Sequence, residues 1–167
     1  MTSSSSLDSS VAPTETPYDR LRKLGLTLPQ LPQAIVNFVP AVREGNLLYL
    51  SGQGPVHAGG LHRGKVGAGV TTEEAYEHAK LTGLNLLGVI EQSIGALTKV
   101  RRVVKLFGMV NAAPDFVAHP LVINGCSDLL ISVFGPDIGR HARSAVGMAS
   151  LPGQITVELE MIVAIVD

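Results

Sequence analysis

The stretch QITVELEMIVAIV (residues 154–166), near the end of the chain, decides the fold. Alternate side chains of a strand point to opposite faces of its sheet. One face of this stretch is apolar throughout, from Ile155 onward. The other face carries Thr156, Glu158 and Glu160 but turns apolar at Ile162. We therefore expect a sheet that is covered on both faces, by helices on one and by other copies of the chain on the other.

Outward from this strand, hydrophobic periodicity predicts two helices and four more strands. The strongest helical pattern begins at Thr71 and Glu74, which have the spacing of a capping box. The order strand, strand, helix, strand, helix, strand, strand predicts an α/β (α+β) chain. Its two helices should cover one face of one mixed sheet. The predicted elements are residues 34–56 (two strands), 71–97 (helix), 100–111 (strand), 119–135 (helix), 144–151 (strand) and 154–166 (strand).

The 167 residues predict one domain preceded by a separate N-terminal region. Residues 1–17 have neither an apolar core nor a basic start, so we interpret them as a disordered tail and not as a signal peptide. Residues 18–36 are interpreted as an N-terminal extension that begins with a short amphipathic helix. Residues 37–167 form the predicted domain, and no apolar run in the chain is long enough to span a membrane.

Charge and cysteine content restrict the partners and the compartment. The net charge is −1, which argues against nucleic acid as a partner because no basic excess faces a phosphate backbone. A single cysteine excludes an intramolecular disulfide and fits a reducing compartment, so we expect a cytoplasmic protein. Cys126 lies in an apolar helical stretch and is interpreted as a small core residue. The five histidines lack the spacing of a zinc site, so no metal is expected.

The stretch GRHARSAVGMASLP (residues 139–152) contains the first candidate site residue, Arg143. Period-two alternation places Ala145, Gly147 and Ala149 on the same face as this arginine. Two interpretations stay open. Arg143 pairs with an acid such as Asp137 or Glu158, above a strip of small residues that lets a helix pack closely. Alternatively, the missing side-chain volume is a pocket in which the guanidinium grips a carboxylate.

The second candidate is the pair Glu158 and Glu160 on one face of the last strand. Residues two apart in a strand lie about 7 Å apart. One interpretation makes the pair a solvated edge. The other is that one carboxylate faces a pocket, where it holds or deprotonates a water molecule.

Three blocks of the sequence together resemble the RidA/YjgF family of reactive intermediate deaminases, also called endoribonuclease L-PSP. They are GNLLYLSGQGPV (residues 45–56), HARSAVGMASLP (residues 141–152) and ITVELEMIVAIV (residues 155–166). The resemblance extends over about residues 37–166. Within the family, the chain is most similar to a divergent branch with an extended N-terminus.

The resemblance implies a chorismate-mutase-like fold and a homotrimer with clefts between its subunits. It also implies hydrolysis of imines and enamines derived from amino acids to 2-oxo acids and ammonia, without metal or organic cofactor. The family arginine that clamps the substrate carboxylate corresponds to Arg143. The glutamate that positions the attacking water corresponds to Glu158, and an asparagine that lines the cleft corresponds to Asn124.

Further substrate-binding positions follow from the same resemblance. Ser51, Gly52 and Ala145 correspond to positions where main-chain groups meet the substrate. Phe38 stands where the family has a tyrosine that reaches into the neighbouring cleft, so the hydroxyl is missing here. Phe116 matches the aromatic residue before the second helix when an insertion is allowed, and Ala145 replaces a frequent cysteine.

The sequence leaves two main functions open. The first is hydrolytic deamination of small imines and enamines, with Arg143 and Glu158 as the catalytic residues. The alternative is a non-catalytic sensor or regulatory protein of the same fold that binds a small carboxylate. Ribonuclease activity, which the older family name suggests, is disfavoured by the net charge and by the scarcity of aromatic residues.

Overall fold

The computed structural model describes residues 15–30 and 37–167. Most of the predicted tail, and the residues 34–36 with which the first predicted strand begins, lie outside the described residues. In the described part the first strand begins at Ala41, directly after Pro40. No helix of the described residues is long and apolar enough to cross a membrane.

The central feature is a five-stranded mixed sheet. Strand β1 is Ala41–Glu44 and β2 is Leu47–Gln53, joined by a tight turn. The long strand β7 (Val100–Asn111) follows after four short strands, which are β3 (Val56–His57), β4 (Gly60–Leu61), β5 (Lys65–Val66) and β6 (Gly69–Val70). Strands β8 (Ala142–Met148) and β9 (Val157–Ile165) complete the sheet in the order β1-β2-β9-β7-β8. Only the β7–β8 pair of this sheet is parallel within the described residues, and β8 is an edge strand.

Two long helices cover one face of this sheet, as the sequence predicts. The helices are α2 (Thr72–Ile94) and α3 (His119–Phe134), which follow the short N-terminal helix α1 (Pro17–Lys23) and precede the one-turn helix α4 (Pro136–Gly139). The capping box of α2 is present, with Thr71 and Glu74 bonded reciprocally. The core between helices and sheet is mainly apolar, and includes Leu86, Ile90, Ile123, Leu106 and Leu159. The mixed sheet with helices on one face is confirmed.

Gly108 of β7 shows how closely helix and sheet approach. A Cβ atom there would lie only 2.6 Å from a methyl carbon of Ile123 on α3. Any side chain at this position would push the helix away from the sheet. This close contact sets the distance between α3 and β7, and α3 lies beside the edge strand β8.

The opposite face of the sheet is only partly covered within one chain. Tyr49 and Val42 are 43% and 54% exposed on this open face. A small second cluster of Met109, Leu151 and Ile155 covers one end of it. Coverage of the rest by other copies of the chain stays a prediction.

The N-terminal region packs against the domain through α1. Thr16 caps this helix in a capping box with Asp19, so ordered structure begins within the last two residues of the predicted tail. Leu21 is buried in the main core. The Tyr18 hydroxyl donates to Glu91 (2.7 Å) and accepts from the Leu97 backbone N–H (2.8 Å). The helix thus ties the end of α2 to the start of β7.

Replacement of Leu21 tests this attachment. We expect Leu21→Ala to lower the free energy of unfolding by about 2–4 kcal/mol, because it removes buried methyl groups and leaves a cavity. Leu24→Ala is the matched control, since Leu24 is 48% exposed at the end of the same helix. Chemical denaturation of both variants measures the difference. Equal, small losses would show that α1 adds little to the stability of the domain.

Cys126 lies on α3 and is completely buried. Burial raises the pKa of its thiol to about 12, although the nearby Arg143 charge lowers it slightly. A thiol with such a pKa carries almost no thiolate at neutral pH and does not act as a nucleophile. The interpretation of Cys126 as a core residue agrees with this environment.

Candidate functional site

Arg143 lies on the edge strand β8, half-buried, with its side chain directed toward α3. Its Nη1 atom donates to Asn124 Oδ1 at 2.8 Å and to Ser127 Oγ at 3.0 Å. Asn124 and Ser127 are one helical turn apart, so both face the same edge of the sheet. Neither Asp137 nor Glu158 forms an ion pair with Arg143 in the described part of the chain, which contradicts the simple acid-pair interpretation.

The two bonds of Nη1 determine which edge of the guanidinium is available. An arginine has five N–H donors in a planar fork, and Nη1 carries two of them. Both Nη1 hydrogens are used by neutral acceptors on α3. Nε–H and the Nη2 hydrogens have no hydrogen-bond partner among the described residues. The Nε–H and one Nη2–H bond point the same way, and this edge matches the two oxygens of a carboxylate.

A histidine continues the network behind Arg143. His141 Nε2 lies 3.1 Å from Ser127 Oγ, and His141 Nδ1 lies 2.6 Å from the carbonyl oxygen of Gly139. Burial and the Arg143 charge lower the pKa of His141, and the hydrogen bond to Gly139 opposes them. The lowered pKa favours the neutral imidazole at pH 7.

Glu158 lies on β9, partly buried on the open face of the sheet. Its side chain lies against Gly52 of β2, where a Cβ atom would collide with the carboxylate. Burial raises the pKa of Glu158, and the neighbouring Glu160 raises it further. A carboxylate with a raised pKa in a partly buried position is suited to accept a proton.

Arg143 and Glu158 do not meet within one chain. Arg143 is aligned with Leu106 of β7, whose side chain faces the helices. Glu158 is aligned with Met109, which lies three positions further along β7 and therefore points to the opposite face of the sheet. The two side chains therefore leave opposite faces of the sheet, and β7 separates their strands. Two strand spacings across the sheet and the three-residue offset between Leu106 and Met109 along β7 put their backbones about 14 Å apart. A single site that contains both groups needs two copies of the chain.

Except for Phe116, the other predicted site residues divide between the same two places. Asn124 contacts Arg143 directly, and Ala145 follows two residues later on β8, packed against the main core. Ser51 and Gly52 lie on β2 near Glu158, and the Ser51 hydroxyl donates to the Val39 carbonyl at 2.7 Å.

Phe38 belongs to the second of these places. It is 58% exposed in the segment before β1, next to the Val39 carbonyl that Ser51 binds. The side chain is thus free to contact another molecule.

Phe116 lies apart from both groups, beside a cavity of about 500 Å³ at the end of β8. The His119 ring meets Phe116 edge-on, with centroids 5.1 Å apart. The same imidazole lies where a side chain at Gly147 would be, and Gly147 and Ala149 themselves line the cavity. The interpretation of the strip of small residues as a substrate pocket stays a prediction. Lys65, which the sequence did not indicate, also lines the cavity and donates to Asn111 Oδ1 at 2.9 Å.

The residues that sequence reasoning missed are Ser127 and His141. Ser127 follows Asn124 by three positions, which is a signal for a shared helix face. His141 precedes Arg143 by two positions, and side chains two residues apart in extended backbone lie on the same side. Among residues 15–30 and 37–167, no group of three His, Cys, Asp or Glu side chains is arranged to hold a metal ion.

Comparison with known proteins agrees with this architecture. A family model described as "YjgF/chorismate mutase-like, putative endoribonuclease" matches residues 18–160. A solved structure of a protein of unknown function from Agrobacterium tumefaciens is 45% identical, with a TM-score of 0.82 over 90% of this chain and 92% of that chain. The protein TCP17 of Trypanosoma cruzi is 41% identical over 86% of this chain and 90% of its own length. A 2-iminobutanoate/2-iminopropanoate deaminase of Dermatophagoides farinae is 32% identical over 84% of this chain and 94% of its own length.

Proposed function

Because the chain belongs to the YjgF/chorismate mutase-like family, we propose that it hydrolyses small imines and enamines derived from amino acids. The products are a 2-oxo acid and ammonia. The observation that carries the proposal is the free Nε/Nη2 edge of Arg143, held by Asn124 and Ser127. The deaminase from Dermatophagoides farinae supports the reaction class.

In this proposal Arg143 binds the substrate carboxylate in a bidentate, planar way. Charge-assisted hydrogen bonds of this kind are roughly twice as strong as neutral ones. They fix the substrate in one orientation and select anionic imines over neutral ones. A 2-imino acid carries its C=N group on the carbon next to the carboxylate, so clamping the carboxylate also places the reacting carbon.

The chemistry then needs a water molecule and a base. An imine carbon is already electrophilic, so the proposal requires no metal or organic cofactor. Glu158 takes one proton from water as the water oxygen attacks this carbon, and then gives that proton to the nitrogen to form the tetrahedral carbinolamine. The hydroxyl proton of this intermediate moves to the nitrogen, the C–N bond breaks, ammonia leaves and the C=O bond forms. The raised pKa of Glu158 favours this proton transfer near neutral pH.

Arg143 and Glu158 act on one substrate only if they come from different copies of the chain. We therefore include a homotrimer with clefts between its subunits in the proposal. The partly exposed open face of the sheet, with Tyr49 and Val42, and the unpaired edge of β8 are surfaces on which such copies can pack.

The test couples an amino-acid oxidase, which releases 2-imino acids, to the purified protein in the presence of semicarbazide. Semicarbazide traps the imine before spontaneous hydrolysis. We expect the protein to suppress trapping and to increase the yield of free 2-oxo acid. Unchanged trapping with several amino acids would contradict the deaminase function.

A second candidate is a protein that binds a small carboxylate without turnover. Its supporting observations are the phenylalanine at position 38, which has no hydroxyl, and the separation of Arg143 from Glu158 within one chain. Thermal stabilisation by 2-oxo acids, with no effect on semicarbazide trapping, would favour this function over the first. Ribonuclease activity has no comparable support in the site, since the net charge is −1.

A further inference from the structure

We propose that His141 is a positioning residue that orients Arg143 through the hydroxyl of Ser127. The relay fixes the guanidinium so that its Nε/Nη2 edge stays turned toward a carboxylate. The inference rests on the proposed function for the ligand, but the relay itself is defined by contacts within the chain. It makes carboxylate binding dependent on the protonation of a histidine that does not touch the substrate.

The direction of each hydrogen bond in the relay is determined. The Gly139 carbonyl oxygen can only accept, so His141 Nδ1 must carry a proton at the 2.6 Å contact. In the neutral ring Nε2 is then the acceptor, and Ser127 donates its hydroxyl hydrogen to it at 3.1 Å. Ser127 Oγ is left with lone pairs, one of which accepts from Arg143 Nη1 at 3.0 Å. The sequence of donors thus runs from Arg143 through Ser127 to His141 and ends on the backbone.

Asn124 completes the arrangement. Its Oδ1 accepts the second Nη1 hydrogen at 2.8 Å. Two acceptors one helical turn apart on α3 hold Nη1 from two directions, which fixes the plane of the guanidinium. A hydroxyl has one hydrogen to donate. While Ser127 directs this hydrogen at His141, its lone pairs stay turned toward Arg143 Nη1 and accept the hydrogen bond.

The surroundings of His141 keep it neutral. Arg143, two residues later on β8, is the charged group that acts on the ring, and it disfavours a second positive charge. Helix α3 contributes the neutral Ser127 hydroxyl, and α4 contributes the Gly139 carbonyl. Asp137 and Arg140, in and after α4, form no hydrogen bond with the ring in the described part of the chain. No carboxylate there hydrogen-bonds to the imidazole.

Protonation of His141 would break the relay. Both ring nitrogens become donors, so Ser127 Oγ would face two N–H groups and its own hydrogen would lose its acceptor. Ser127 is buried, so an unpaired hydroxyl is costly. Because the folded-state pKa of His141 is lowered, the relay is intact at neutral pH and is lost as the pH falls through that pKa. Carboxylate affinity should therefore weaken on the acid side.

The first test needs no ligand. Long-range ¹⁵N–¹H spectra of the imidazole distinguish the two neutral tautomers, and ¹⁵N spectra of the Arg143 guanidinium report rotation of its Nη groups. We expect the Nδ1–H tautomer for His141 at pH 7.5 and slow Nη1 rotation for Arg143. In His141→Leu the rotation should become fast while the fold is retained. An Nε2–H tautomer, a charged ring at pH 7.5, or unchanged rotation in His141→Leu would overturn the relay.

The second test measures binding of 2-oxobutanoate, a stable 2-oxo acid, by calorimetry. We expect Ser127→Ala and His141→Leu each to weaken binding about tenfold at pH 7.5, and the double variant to weaken it no more than either alone. His141→Gln can offer Oε1 to Ser127, so it should retain most of the affinity and lose the acid-side weakening. His57→Gln, in the exposed β3–β4 hairpin, is the matched control. Fully additive effects in the double variant would show that the two residues act independently.

These readouts separate the relay from the proposed reaction. If turnover is absent but the tautomer, the slow rotation and the non-additive binding are found, the relay stands and the deaminase function fails. If turnover is present but His141→Leu binds 2-oxobutanoate with unchanged affinity across pH, the deaminase function stands and the relay fails.

Discussion

Arg143→Ala should lower kcat/KM for 2-imino acids by about 10³-fold while the fold and the assembly stay intact. The estimate follows from the loss of two charge-assisted hydrogen bonds, each contributing about 1.5–3 kcal/mol. Arg143 is half-buried on an edge strand, and its truncation leaves the main core untouched. The measurement is the oxidase-coupled assay, with the circular dichroism spectrum and the sedimentation coefficient recorded in parallel.

Two control variants distinguish bidentate carboxylate binding by Arg143 from a general effect of its positive charge. Arg143→Lys keeps the charge but cannot present two parallel N–H donors, so we expect it to recover only part of the activity. Arg140→Ala removes an exposed arginine three residues earlier and should have little effect. If Arg143→Ala retained wild-type activity, the substrate carboxylate would have to be bound elsewhere and the site assignment would be wrong.

Much of the fold follows from local sequence patterns. The capping box of α2 and the length of its apolar pattern predict its position within a few residues. The boundaries of β7 match the predicted strand 100–111 completely. The strand predicted at residues 144–151 begins instead at Ala142, because pairing with β7 extends it toward Arg143. Helix α4 and the β3–β4 hairpin were not predicted, since elements of two to four residues have too little periodicity to be recognised.

The site was less accessible to such reasoning because its geometry depends on contacts between distant elements. Period-two alternation groups Arg143 with Ala145, and Glu158 with Glu160, but cannot relate one strand to another. The opposite orientation of Arg143 and Glu158 depends on their register against β7. The roles of Ser127 and His141 depend on where α3 settles beside β8. His119 fills the place above Gly147 only because the β7–α3 connection returns to that point.

Glu158→Gln should lower kcat by at least about 10²-fold, with a much smaller change in KM. Glutamine has nearly the same shape, so its contact with Gly52 is retained while the proton acceptor is lost. Glu160→Gln is the matched control, because Glu160 is on the same face of β9, two residues away, and exposed. In the wild type, kcat should fall as the pH decreases through the raised pKa of Glu158, since only the carboxylate accepts a proton. A full-rate Glu158→Gln variant would exclude Glu158 as the base.

Mixing the two inactive variants shows whether Arg143 and Glu158 come from different subunits. When Arg143→Ala and Glu158→Gln chains are unfolded together and reassembled at equal amounts, one cleft in about four should combine an intact Arg143 with an intact Glu158. We therefore expect recovery of about a quarter of the wild-type activity, although each variant alone is nearly inactive. If both residues served one cleft from a single chain, every mixed assembly would lack one of the two groups in each cleft. No activity would then return on mixing. That outcome would contradict an active site that combines Arg143 of one subunit with Glu158 of another.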